Sequence, residues 1–84
     1  MKKQITIFAT LILLGGCAVE SAISTSELPP AVVTAFQQKY PNTTVSKWEI
    51  GKENGKPYYE ANFKQNGKKL EAVFLSDGAF VKEE

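Results

Sequence analysis

Two Asn-Gly dipeptides, Asn54-Gly55 and Asn66-Gly67, bracket the stretch Pro57-Tyr58-Tyr59-Glu60-Ala61-Asn62-Phe63-Lys64-Gln65. Asn-Gly between alternating segments is the strongest short-range signal for a two-residue hairpin, because both residues tolerate the positive φ that a type I′ turn needs. The stretch itself alternates, with Tyr59, Ala61 and Phe63 on one face and Tyr58, Glu60, Asn62 and Lys64 on the other. A strand with a tight hairpin at each end is the middle of an antiparallel meander.

The register follows from the turns. Across Asn54-Gly55, Glu53 faces Lys56, Ile50 faces Tyr59 and Trp48 faces Ala61. Across Asn66-Gly67, Phe63 faces Leu70, Ala61 faces Ala72 and Tyr59 faces Phe74. In both hairpins turn geometry and hydrophobic pattern agree, and a slip by one residue would reverse every side chain. Val45 falls out of phase with Trp48 and Ile50; either a bulge near Ser46 restores it or it points outward. The last turn is Ser76-Asp77-Gly78. A three-residue loop pairs Phe74 with Phe80 and turns Phe80 inward, whereas a two-residue turn would bury Val81; the larger ring favours the first. The closing Lys82-Glu83-Glu84 suits a sheet edge.

Ahead of the strands, Leu28-Pro29-Pro30 is a helix start, since proline is favoured in the first helical turn. Val32, Val33, Phe36 and Tyr40 recur at helical spacing, and Pro41 ends the run. The fold class expected is α+β, one N-terminal helix packed on a four-stranded antiparallel β-meander. Its expected core is Val33, Phe36, Tyr40, Trp48, Ile50, Tyr59, Phe63, Leu70, Phe74 and Phe80.

The first residues read differently. Lys2 and Lys3 precede an apolar run from Ile5 to Leu14, and small residues follow at once. That is the layout of a secretory signal peptide, too short for a comfortable membrane span. Leu14-Gly15-Gly16-Cys17 resembles the lipobox of bacterial lipoproteins, in which the cysteine becomes the first mature residue and carries the lipid. The alternative is ordinary cleavage after Ala18. Domain organisation is thus a lipoprotein-type signal peptide over residues 1–16, a flexible tether over 17–26 and one domain over 27–84. The implied location is the bacterial envelope, periplasmic and membrane-anchored through Cys17, or secreted and soluble under the alternative.

Composition excludes several chemistries. The chain of 84 residues has no His, no Arg and one Cys, at a net charge of +1. Without His, a serine nucleophile lacks its usual base and the common zinc sites lack their ligands. Without Lys2 and Lys3 the balance is eight Lys against nine acids, which gives no basic field for nucleic acid. No catalytic residues, cofactor or metal are assigned.

Leu28-Pro29 with Val32 or Val33, Phe36 and Tyr40-Pro41 resembles the helix signature of the PepSY-like, β-lactamase-inhibitor-like domain family. Val45 and Trp48 match its first strand, Tyr59-Glu60-Ala61-Asn62-Phe63 its "YEV-x-F" strand, with Ala for the usual Val, and Gly67-Lys68 and Asp77-Gly78 its later turns. The resemblance implies an exported bacterial protein with a helix-plus-meander unit. Family members often carry two such units; this chain has one, which leaves open pairing with a second copy as a homodimer.

Two features of the face away from the helix bear on function. Tyr58, Val73, Leu75 and Val81 are apolar enough to form a small patch, a partner-binding surface for an unidentified envelope protein. The reading it supports is a non-enzymatic binding module that engages or inhibits another exported protein. Glu49, Glu60 and Glu71 project from neighbouring strands of the same face and offer the alternative, binding of a small ligand or cation. Lys47, Lys64 and Lys69 share that side and point to an ordinary solvated face.

Overall fold

The structure is a computed structural model that describes residues 20–84; the apolar run and Cys17 lie outside the described residues. Among the described residues, five strands form one antiparallel sheet in sequence order, with a single α-helix between the first two. Strand β1 is Ser21–Ile23, helix α1 is Pro30–Lys39, β2 is Val45–Glu53, β3 is Lys56–Gln65, β4 is Lys68–Leu75 and β5 is Phe80–Glu83. A short 3-10 turn, Thr25–Glu27, links β1 to the helix.

The hairpins have the registers set by their turns. Ile50 faces Tyr59 and Trp48 faces Ala61 across β2 and β3; Phe63 faces Leu70 and Tyr59 faces Phe74 across β3 and β4. All four turn residues have positive φ: 54° and 78° at Asn54 and Gly55, 54° and 79° at Asn66 and Gly67. That is the mirror-image turn whose twist matches the flanking strands. A register shift between Val45 and Lys47 skips Ser46, so Val45 pairs with Phe63 and packs against the core.

The expectation of four strands is corrected to five. Ser21, Ala22 and Ile23 pair with Ile50, Glu49 and Trp48 along the outer edge of β2, within the stretch read as a flexible tether. Their composition gives little strand signal; the edge of β2 supplies the unpaired backbone groups and Trp48 the apolar surface for Ile23. A polar stop follows. Glu27 Oε1 accepts from the Ser24 amide at 3.4 Å and the Ser24 hydroxyl at 3.3 Å, and the Glu27 amide donates to the Ser24 carbonyl at 3.0 Å.

The helix lies on the face that carries Trp48, Tyr59, Ala61, Phe63, Ala72 and Phe74. Its inner stripe is Val32 and Phe36, continued by Leu28 before it and Tyr40 after it, one residue every turn. Phe36 is the hub: its ring centroid lies 5.0 Å from Tyr40, 5.2 Å from Phe63, 5.6 Å from Trp48 and 6.3 Å from Phe74. The three contacts to the sheet are edge-to-face, the arrangement that aromatic quadrupoles favour.

Four members of the expected core sit differently. Val32 takes the fully buried position and Val33 is only partly covered, as are Ile50 and Leu70. A ten-residue helix is about 15 Å long, and strands of eight to ten residues run about 27–34 Å, so their ends project past it. Phe80 is 42% exposed. It pairs with Phe74, as the three-residue turn requires, and their centroids are 5.7 Å apart. It stands on the edge strand, however, where among the described residues its outer flank has no neighbouring strand. Lys39 Nζ, 4.2 Å from the ring centroid, provides the cover it has.

Candidate binding face

The face away from the helix carries an acidic row that crosses the whole sheet. Glu49 on β2 lies directly opposite Glu60 on β3. Glu71 on β4 is diagonal to Glu60, opposite Asn62, and exchanges both backbone hydrogen bonds with Glu84 at 2.8 and 2.7 Å. Glu20, just before β1, completes the row. Carboxylate oxygens of Glu20, Glu49 and Glu60 lie within 4.8 Å of one another, and so do those of Glu60, Glu71 and Glu84. Glu60 belongs to both groups and is 7% exposed.

The outer members of the row are held by neighbours. Tyr58 Oη donates to Glu20 Oε2 at 2.8 Å. Asn62 Nδ2 donates to Glu49 Oε1 at 3.3 Å, and Lys47 Nζ lies 3.5 Å from Glu49 Oε2. Lys82 Nζ lies 2.6 Å from Glu84 Oε2. Tyr58 reaches Glu20 because its cross-strand neighbour is Gly51: a Cβ at position 51 would stand 2.5 Å from the tyrosine Cζ and Oη.

At the centre, Glu60 meets the carboxyls of Glu20 and Glu71. Burial pushes the Glu60 carboxyl up to about 9, and the charges of Glu71 and Glu20, a hydrogen bond with Glu20 and the charge of Glu49 push the same way. Glu60 therefore carries a proton at neutral pH. Glu71 is also raised, by burial first and then by Glu84, partly offset by a hydrogen bond from Glu60. Burial and the bond to Glu20 raise the Tyr58 hydroxyl, which keeps it a donor. Such an arrangement can share protons between carboxyls or surround a hard cation with oxygen.

The apolar residues singled out in the sequence separate into two kinds. Val73 is buried and Tyr58 half-buried across Gly51, so neither offers a free apolar surface. Leu75 and Val81 are exposed at 37% and 48%. Val81 is bulged, since Phe74 pairs with Phe80 and Val73 with Lys82, leaving Val81 without an opposite residue. With Phe80, these are the exposed large hydrophobic side chains among the described residues, and all flank the β4–β5 turn. That turn is closed by the Gly78 amide on the Leu75 carbonyl and the Leu75 amide on the Ala79 carbonyl, both at 2.9 Å. It is pinned under the helix: a Cβ on Gly78 would meet the Ala31 carbonyl oxygen at 2.8 Å.

Sequence reasoning found Glu49, Glu60 and Glu71 and placed them correctly relative to one another. It missed Glu20, because nothing local marks residues 20–23 as a strand, and it missed Gly51, whose role depends on where Tyr58 lies. No helix among the described residues is long and apolar enough to cross a membrane. Comparison with known protein families and with curated proteins finds no match.

Proposed function

We propose that this chain is a non-enzymatic binding module of the bacterial envelope, anchored through a lipid on Cys17, that engages another exported protein at the β4–β5 corner of its sheet. The observation that carries this reading is the grouping of Leu75, Phe80 and Val81 beside an edge strand. On β5, Lys82 faces Val73 and Glu84 bonds Glu71, so the strand's inner side is committed to β4. Among the described residues the outer side has no further strand in the sheet. An extended segment of a partner could add there as a sixth strand, with Leu75, Phe80 and Val81 giving apolar contact. The lipobox resemblance and the likeness to PepSY-like domains support the envelope setting; pairing with a second copy is one form the same edge contact can take.

The test is site-specific photo-crosslinking in the organism that makes the protein. A photoreactive residue at position 81 should give a discrete protein adduct, lost on Leu75→Lys. The same group at Gln38, on the solvent side of the helix, should give none. Equal labelling from both positions, or no adduct from position 81, would refute the corner as the contact surface. The anchor is tested separately: Cys17→Ser should abolish fatty-acid labelling and release the protein from the membrane fraction. Wild-type protein already free and unlabelled would instead favour cleavage after Ala18.

A further inference from the structure

We infer that Lys64 and Lys69, with Lys47 lining the same groove, form a binding site for an oligophosphate on the face away from the helix, at the Asn66-Gly67 end of the sheet. The inference depends neither on the β4–β5 corner nor on the anchor at Cys17.

The first observation is a like-charge pair. Lys64 on β3 lies directly opposite Lys69 on β4. Residues so placed have Cβ atoms about 4.5–5.5 Å apart, and like charges there destabilise a sheet. The other lysines of this face stand beside acids. Lys47 Nζ lies 3.5 Å from Glu49 Oε2, Lys82 Nζ lies 2.6 Å from Glu84 Oε2, and Lys56 is opposite Glu53. Among the described residues no carboxylate pairs with Lys64 or Lys69. Both side chains are exposed, and the stretch from Ala61 to Leu70 contains no acid.

The second observation is shape. Lys64 and Lys69 line an open groove of about 640 Å³ together with Thr44, Ser46, Lys47 and Asn62. That volume is in the range of small-molecule sites. The floor is fixed: the Ser46 hydroxyl donates to the Asn62 carbonyl at 2.9 Å, and Asn62 Nδ2 donates to the Lys47 carbonyl at 3.2 Å. Glu71 and Glu84 border the groove on the side of the acidic row, where Lys82 holds Glu84.

The occupant follows from charge density. Two ammonium groups at one cross-strand spacing call for an anion that carries more than one charge within a few ångströms. A carboxylate or a phosphodiester brings one charge per group, whereas a terminal phosphate brings about 1.5–2 at neutral pH. Lysine binds phosphate as a point charge and needs no planar geometry from it. A lipid surface fits less well. The exposed Leu75, Phe80 and Val81 flank the other turn of β4, and Leu75 is about 20 Å along that strand from Lys69. A nucleic acid fits less well too, because single strands bind by stacking on exposed rings, and the ring that lines this groove, Phe63, is buried.

The experiment uses the full chain in neutral detergent at low ionic strength, titrated with sodium tripolyphosphate by calorimetry. One saturable site is expected, with a melting temperature that rises as ligand is added. Lys64→Gln and Lys69→Gln should each weaken binding by about fivefold, the usual effect of one lysine facing anionic phosphate. The double variant should weaken it by more than about tenfold. Lys56→Gln, at the far end of the same strand, should bind like wild type. Lys64→Glu separates binding from folding: it sets opposite charges across from each other, so without ligand it should melt above wild type, and it should lose the rise with tripolyphosphate. No binding by wild type at millimolar tripolyphosphate, or equal binding by wild type and the double variant, would overturn the site. Lys64→Glu melting at or below wild type would overturn the like-charge pair on which the site rests. Two competitors test the source of the phosphate. Neither a thymidine oligonucleotide of equal phosphate count nor phosphatidylglycerol added to the micelles should displace tripolyphosphate. Displacement by the first would assign the groove to nucleic acid and by the second to a lipid surface, and either would overturn the oligophosphate.

Discussion

Phe63 and Glu60 lie on the same strand, three residues apart, on opposite faces, and are nearly equally buried at 2% and 7% exposed. Phe63 is enclosed by rings, with Tyr40 at 4.6 Å and Phe36 at 5.2 Å between centroids. Glu60 is enclosed by carboxyls that repel its charge. Burial on the helix side removes apolar surface from water and stabilises the fold directly. On the other side it desolvates an acid, and the molecule accommodates this by keeping the proton. One strand thus carries both the main source of stability and a group held away from its preferred charge state. A site held in that condition is a common mark of function.

The contrast can be broken most forcefully on the aromatic side. Phe63→Ala should cost about 3–5 kcal/mol, the usual range for deleting a buried ring, and in a domain this small that approaches the whole stability. Chemical denaturation would check it, and a variant of unchanged stability would mean that Phe36 and Tyr40 do not depend on this ring.

The acidic side should respond to pH instead. A carboxyl whose folded value stands above its ordinary 4.5, here about 9 for Glu60, binds its proton more tightly when folded. Its contribution is complete below about pH 4.5 and is lost as pH rises towards 9. In chelator-containing buffer the melting temperature of wild type should fall by several degrees between pH 5 and pH 9. Glu60→Gln should flatten that slope and be the more stable protein at pH 9; equal slopes would show that Glu60 is not the group responsible.

A smaller effect separates Tyr58 from the acidic row. Gly51→Ala places a methyl where the tyrosine ring lies, 2.5 Å from Cζ and Oη, so the ring must swing away from Glu20. The loss of that hydrogen bond should cost about 1 kcal/mol, and the phenol should titrate closer to its ordinary range, readable by ultraviolet absorbance. A phenol that titrates as in wild type would show that the bond to Glu20 survives.

The smallest expected effect is at the edge of the aromatic face. Lys39→Ala removes the ammonium over Phe80 and should cost about 0.5–1 kcal/mol, typical of an exposed cation–π pair. A loss well above that would mean Phe80 is held more firmly than its exposure indicates.

What the chain determined by itself is local. Asn54-Gly55 and Asn66-Gly67 set both hairpins, and alternation then left only one register that put Tyr59, Phe63, Leu70 and Phe74 together. The bulge at Ser46 was foreseeable for the same reason, because Val45 could not otherwise share the face of Trp48. The helix was legible in its prolines and its Phe36–Tyr40 spacing, though not in whether Val32 or Val33 would face inward. Tertiary structure decided the rest. Residues 21–23 carry little strand signal and pair because β2 presents a free edge and Trp48 an uncovered flank. Phe80 has the pattern of a core residue and is exposed because it stands on the last strand. Glu60 has the pattern of a solvent-facing acid and is buried because Glu20, Glu49 and Glu71 converge on it from neighbouring segments. Periodicity fixes which side of a strand a residue takes; what stands over that side is set by segments distant in the chain, which local spacing does not encode.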